Sequence, residues 1–156
     1  MRRASDRERE TSDVFRLDPA TGSLASVASD FDRPNGLAFS PDERTLYVGD
    51  SGAPAHVRAF RVSEQGELSG GEELCRPEGG PPDGLFCDAA GHLYVCVPDG
   101  VYVYGADGVR LGRLPVPETT RDGAFGGTNG TRLFVTAGGS LYAIDTLAHA
   151  PEHAPD

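Results

Sequence analysis

A strand–turn–strand segment recurs three times along this chain, and its spacing limits the possible folds more than any other feature. The copies occupy residues 33–48, 82–95 and 122–135 and share the glycines Gly36, Gly84 and Gly123, which stand 48 and 39 residues apart. The second strand of every copy ends in Leu-aromatic-Val: Leu46-Tyr47-Val48, Leu93-Tyr94-Val95 and Leu133-Phe134-Val135. A second kind of apolar run falls between the copies, at residues 14–18, 57–60, 101–104 and 141–145.

These runs alternate with period two, as strands do, and no segment sustains the period of 3.6 that marks a helix. Repeats of roughly 40–50 residues, each holding about four short strands, are the pattern of β-propeller blades. The expected fold is all-β: a partial six-bladed β-propeller of about three blades, each a four-stranded antiparallel sheet. A β-sandwich does not call for such a repeat. The chain opens in phase with the third strand of a blade and closes on another third strand, which implies groups of two, four, four and three strands and a missing front. The expected propeller region is residues 13–146, with residues 1–12 and the Ala- and Pro-rich 147–156 disordered. In the turns of the first two copies, Pro41 presets φ and Gly91 supplies a left-handed residue. An open row of blades leaves apolar faces at its ends, so self-association through exposed blade faces is expected.

Composition narrows the function. The 21 glycines and 12 prolines suit many tight turns. The net charge is −10, from 24 acids against 14 bases that are all arginine. Such a surface repels phosphate backbones and argues against nucleic acid. No window approaches the roughly 18 apolar residues of a membrane span. The charged residues 1–13 never reach the apolar stretch of a secretory signal, so a cytoplasmic location is expected. There is no P-loop, GxGxxG or GxSxG motif. Cys75, Cys87 and Cys96 form no CxxC pair and read as reduced thiols, the last two as small core residues. His56 and His92 open strands and read as surface or edge residues. His149 and His153 have helical spacing, but Pro151 between them opposes a helix.

Pro34-Asn35-Gly36 and Pro82-Asp83-Gly84 each lead into an inner strand. In a propeller the inner strands begin at one end of the central channel, so Asn35 and Asp83 would face each other across it. An amide oxygen and a carboxylate are hard donors that suit Ca²⁺, Mg²⁺ or Mn²⁺. Read for the backbone alone, the same tripeptides are common turns, with Pro fixing the approach and Gly permitting a sharp bend. On the residues, both readings stand. Asp50, after the second strand of the first copy, reads as structural.

The three motifs, Arg33–Ser51 with its Pro34-Asn35-Gly36-Leu37, Pro82-Asp83-Gly84-Leu85 through Asp88 and Gly91, and Ala124-Phe125-Gly126-Gly127 followed by Leu133-Phe134-Val135-Thr136, occur in a distinctive order and spacing. They resemble the C-terminal half of the SMP-30/gluconolactonase/LRE-like family across residues 13–145. The resemblance implies a propeller whose complete members are metal-dependent lactone hydrolases. It implies that Asn35 and Asp83 are ligands of a divalent metal, with Ca²⁺ in first place and Zn²⁺, Mn²⁺ or Mg²⁺ as alternatives. By the same resemblance Asp83 is also the general base, and the substrate is a small-molecule lactone. A further Glu ligand and the substrate-contacting Arg and Asn residues would lie upstream of the matched motifs. The expected function is thus a fragment of a sugar-lactone hydrolase. The alternatives are a non-catalytic propeller-derived module and an arylesterase-like calcium-dependent esterase.

Overall fold

The computed structural model describes residues 12–152. Residues 1–11 and 153–156 lie outside the described residues, and with them most of the N-terminal segment and the end of the tail expected to be disordered. The alternating runs become thirteen strands among the described residues, none of which is helical. A two-stranded sheet pairs β1 (Ser12–Leu17) with β2 (Leu24–Phe31). A four-stranded sheet follows: β3 (Pro34–Phe39), β4 (Thr45–Asp50), β5 (His56–Val62) and β6 (Leu68–Cys75). The next repeats it with β7 (Leu85–Cys87), β8 (Leu93–Val97), β9 (Gly100–Tyr104) and β10 (Arg110–Pro115). The last has three strands, β11 (Thr120–Gly126), β12 (Arg132–Ala137) and β13 (Ser140–Asp145). Every pairing is antiparallel between chain neighbours, so each sheet is a meander. This grouping is the one the repeat phase implies.

Why the middle strands are apolar throughout follows from the stacking of the sheets. Side chains alternate between the two faces of a strand. On β4, Leu46 and Val48 enter a core with Phe31 and Phe60, while Tyr47 enters another with Val57, Leu85, Leu93 and Val95. On β8, Leu93, Val95 and Val97 face back into that second core, while Tyr94 and Cys96 face forward to Leu133 and Val135. Each complete sheet is therefore covered on both faces, and each interface carries its own core. Burial of one Val or Leu in such a core contributes about 1.5–3 kcal/mol. Between the third and fourth sheets, Phe86 stacks on Tyr94 at 5.0 Å and Phe125 meets Tyr94 edge-on at 5.3 Å. Cys75, Cys87 and Cys96 are buried free thiols, and burial pushes each up to about 12, so all stay protonated at neutral pH.

Gly91 adopts φ +83° in the β7–β8 turn, as expected, whereas in the β3–β4 turn the left-handed position falls to Glu43 at φ +57°. The turn reading of Pro34-Asn35-Gly36 and Pro82-Asp83-Gly84 is corrected. The first tripeptide opens β3 and the second leads directly to β7. Neither Gly36 nor Gly84 has a positive φ. Their smallness serves a close approach between sheets instead. A Cβ on Gly36 would lie 2.1 Å from Asp83 O, and one on Gly84 would lie 2.6 Å from Arg121 O. Gly36 N donates to Asp83 O at 2.9 Å and Gly84 N to Arg121 O at 2.7 Å, so consecutive inner strands are linked through these glycines.

The start of the tail also departs from expectation. Ala89 N donates to His149 O and Ala150 N to Gly130 O, both at 2.9 Å. These bonds tie residues 149 and 150 to the hairpin turns of the third and fourth sheets. They use backbone groups, which carry no side-chain pattern to read.

Candidate functional site

The links between inner strands determine which side chains meet. Arg33, Asn35, Ser51, Pro82, Asp83 and Arg121 line one pocket of about 220 Å³. Asn35 and Asp83, from consecutive sheets, are thus brought to the same cavity. A larger hollow of about 690 Å³ lies among Phe39, Asp42, Arg44 and Val62, beside the β3–β4 turn, and holds neither of these residues.

The backbone of Asp83 is pinned twice, its N–H donating to Cys96 O at 2.8 Å and its carbonyl accepting from Gly36. Its side chain, 28 % exposed, pairs with Arg121 Nη1 at 3.2 Å, and Arg121 is 63 % exposed. A pair this open contributes roughly 0–1 kcal/mol, so its role is orientation more than stability. Asn35 Nδ2 donates to Ser51 Oγ at 3.0 Å, and Ser51 Oγ donates to Pro82 O. A hydroxyl has one proton to give. Once it is spent on Pro82, Ser51 can only accept from Asn35, which turns the amide nitrogen toward Ser51 and leaves Oδ1 without a hydrogen-bond partner among the described residues.

Asp50 supports this wall from behind. Fully buried, it accepts from Asp32 N at 2.9 Å, Arg33 N at 2.8 Å and Gly52 N at 2.8 Å. Burial alone would raise its carboxyl, but the three donors outweigh it and hold it below the ordinary value of 3.8. Asp88 does similar work at the β7–β8 turn, accepting from Ala90 N, His92 N, His92 Nδ1 and Tyr94 Oη. His56 Nδ1 lies 2.7 Å from Glu73. Neither histidine belongs to the pocket.

Aligned on the shared glycines, Asp122 falls opposite Asn35 and Asp83. The structure puts Arg121 at the pocket instead. A break in register between Thr120 and Asp122 in the β11–β12 pairing marks a β-bulge, and bulges re-aim side chains. Asp122 Oδ1 turns back to accept from Gly123 N at 2.8 Å. The available signal was that Arg121 stands where the other two copies have proline.

The donor chemistry at Asn35 and Asp83, one amide oxygen and one carboxylate on a shared cavity, fits a hard divalent cation. Among the described residues no three His, Cys, Asp or Glu side chains gather to hold a metal. Stacked antiparallel meanders whose inner strands begin around one cavity define a partial β-propeller. The chain belongs to the SMP-30/Gluconolactonase/LRE-like region family, whose profile matches residues 1–139. It is 37% identical to Pentonolactonase XacC of Haloferax volcanii over 131 residues, 81% of this chain and 45% of that protein. Among solved structures, a gluconolactonase of Xanthomonas campestris superposes with TM-score 0.82 at 38% identity, covering 90% of this chain and 46% of the other. The calcium-binding protein regucalcin of Agrobacterium tumefaciens superposes with TM-score 0.70 at 29% identity, covering 80% and 43%. The chain therefore spans less than half the length of these relatives.

Proposed function

We propose that the chain carries part of the active site of a divalent-metal-dependent sugar-lactone hydrolase. The observation that supports this is the shared cavity: Asn35 and Asp83 line it from consecutive sheets joined by the Gly36–Asp83 hydrogen bond. The names of the relatives above, pentonolactonase and gluconolactonase, support a lactone as substrate, and that of regucalcin supports calcium as the cation.

In this reading Asn35 Oδ1 and the Asp83 carboxylate hold the cation. When bound, the cation supplies polarisation of the lactone carbonyl and lowers the pKa of water beside it. Asp83 takes the proton from the attacking water, and the ring opens to a hydroxy acid. A carboxylate shared with a cation is a weakened base, so Asp83 contributes position at least as much as basicity. Ser51 presents the Asn35 oxygen, and Arg121 orients Asp83.

The test is lactone hydrolysis with added Ca²⁺, Mn²⁺ or Zn²⁺, comparing the chain with Asp83→Ala. The expected outcome is a loss of about 100-fold or more in kcat/KM. Activity that is equal in the variant contradicts the assignment. Hydrolysis absent at every metal concentration would instead select a non-catalytic module.

A further inference from the structure

Two arginines and one aspartate line the pocket: Arg33, Arg121 and Asp83. That balance is unusual in a chain of net charge −10. Arg58, Arg76, Arg110, Arg113 and Arg132 each sit on a carboxylate, whereas Arg44 and Arg61 make no ion pair among the described residues. Arg33 has its backbone fixed by Asp50 and by Ser51 N, which donates to Arg33 O, while its side chain makes no ion pair among the described residues. Arg121 gives Nη1 to Asp83, and its other donors meet no hydrogen-bond partner among the described residues. A guanidinium has five N–H donors in a planar fork that matches a carboxylate edge to edge. Asp83 therefore holds Arg121 at the cavity and leaves most of the fork for something else. The cavity, at about 220 Å³, is below the roughly 300 Å³ typical of drug-sized ligands.

We propose that Arg121, with Arg33, forms an anion-binding subsite that takes the carboxylate of a small sugar acid. The identity of that acid rests on the lactone-hydrolase reading, since opening a lactone creates one carboxylate; the presence of two arginines at the pocket does not. Charge-assisted bidentate bonds supply the affinity. Asp83 competes with the ligand for the same guanidinium, so the subsite is restrained when no cation draws on Asp83.

The experiment is calorimetric titration of gluconate into the chain in EDTA, which removes the metal question. Arg121→Gln is expected to weaken binding about tenfold or more, and Arg121→Lys to weaken it less, because charge survives without the fork. Asp83→Asn is expected to tighten binding several-fold by removing the competitor. Arg33→Gln provides a second, independent loss. Undetectable binding by the unmodified chain, no change in Arg121→Gln, or weakening in Asp83→Asn overturns the proposal. Sulfate and phosphate displacing gluconate at equal concentration overturns the carboxylate assignment, and glucose binding as tightly as gluconate overturns the anionic one. Gluconate binding retained in a protein that hydrolyses no lactone separates failure of the hydrolase reading from failure of this one.

Discussion

Asp50 accepts three backbone N–H groups while only 1 % of it is exposed. Its carboxyl is held below 3.8 in the folded chain, so the ionised form contributes its full stability above that pH. The contribution is lost as pH falls through the lower folded value. Asp50→Asn is expected to cost about 1–3 kcal/mol near neutral pH, because an amide nitrogen then faces a backbone donor. Urea melts at stepped pH should also show a shallower acid dependence below about pH 4 for the variant. Glu43 makes the opposite case. At φ +57° it sits where a Cβ costs about 1–2 kcal/mol. Glycine removes that strain but loses about 0.5–1 kcal/mol in chain entropy. Glu43→Gly should therefore raise stability by about 0.5–1 kcal/mol, read as a higher urea midpoint at unchanged m-value.

The links between sheets make the inner strands intolerant of small changes. A Cβ on Gly36 would meet backbone of the next sheet, at Asp83 O and at Gly84 Cα, so no side-chain rotation relieves it. Gly36→Ala is expected to cost more than about 2 kcal/mol in thermal or chemical melts. Gly112, with open space around its Cβ position, is the matched control and should change little when mutated to Ala. Strand identity was legible in the sequence because a strand covered on both faces must be apolar throughout, and Leu93 to Val97 says so plainly. The meeting of Asn35 and Asp83 was legible because two copies share one phase. The place of Arg121 was not, since a one-residue bulge reverses which neighbour faces the cavity while leaving the apolar pattern of Phe125, Leu133 and Val135 intact. The role of the glycines was not legible either: sequence shows that Gly36 lacks a side chain, but not which backbone requires the space.

Among the described residues, the two complete sheets are covered on both faces and the outer two on one. Leu17 and Leu24 on the first sheet are each 60% exposed, and Leu141 on the last is 66% exposed. For this chain by itself we propose association through these faces. Sedimentation velocity should show mass rising with concentration, and Leu17→Lys with Leu141→Lys should hold the chain monomeric. A single concentration-independent species in the unmodified chain contradicts this.

The hydrogen bonds from Gly36 and Gly84 have a different reach. They fix the gap between neighbouring inner strands through main-chain atoms, with no help from the groups that project into the cavity. An amide, a carboxylate and a guanidinium occupy three such positions, and any of them could be exchanged without moving the backbone that carries the other two. The fold thus behaves as a rack with evenly set sockets, in which new chemistry is fitted by changing what is plugged in and the frame is left alone.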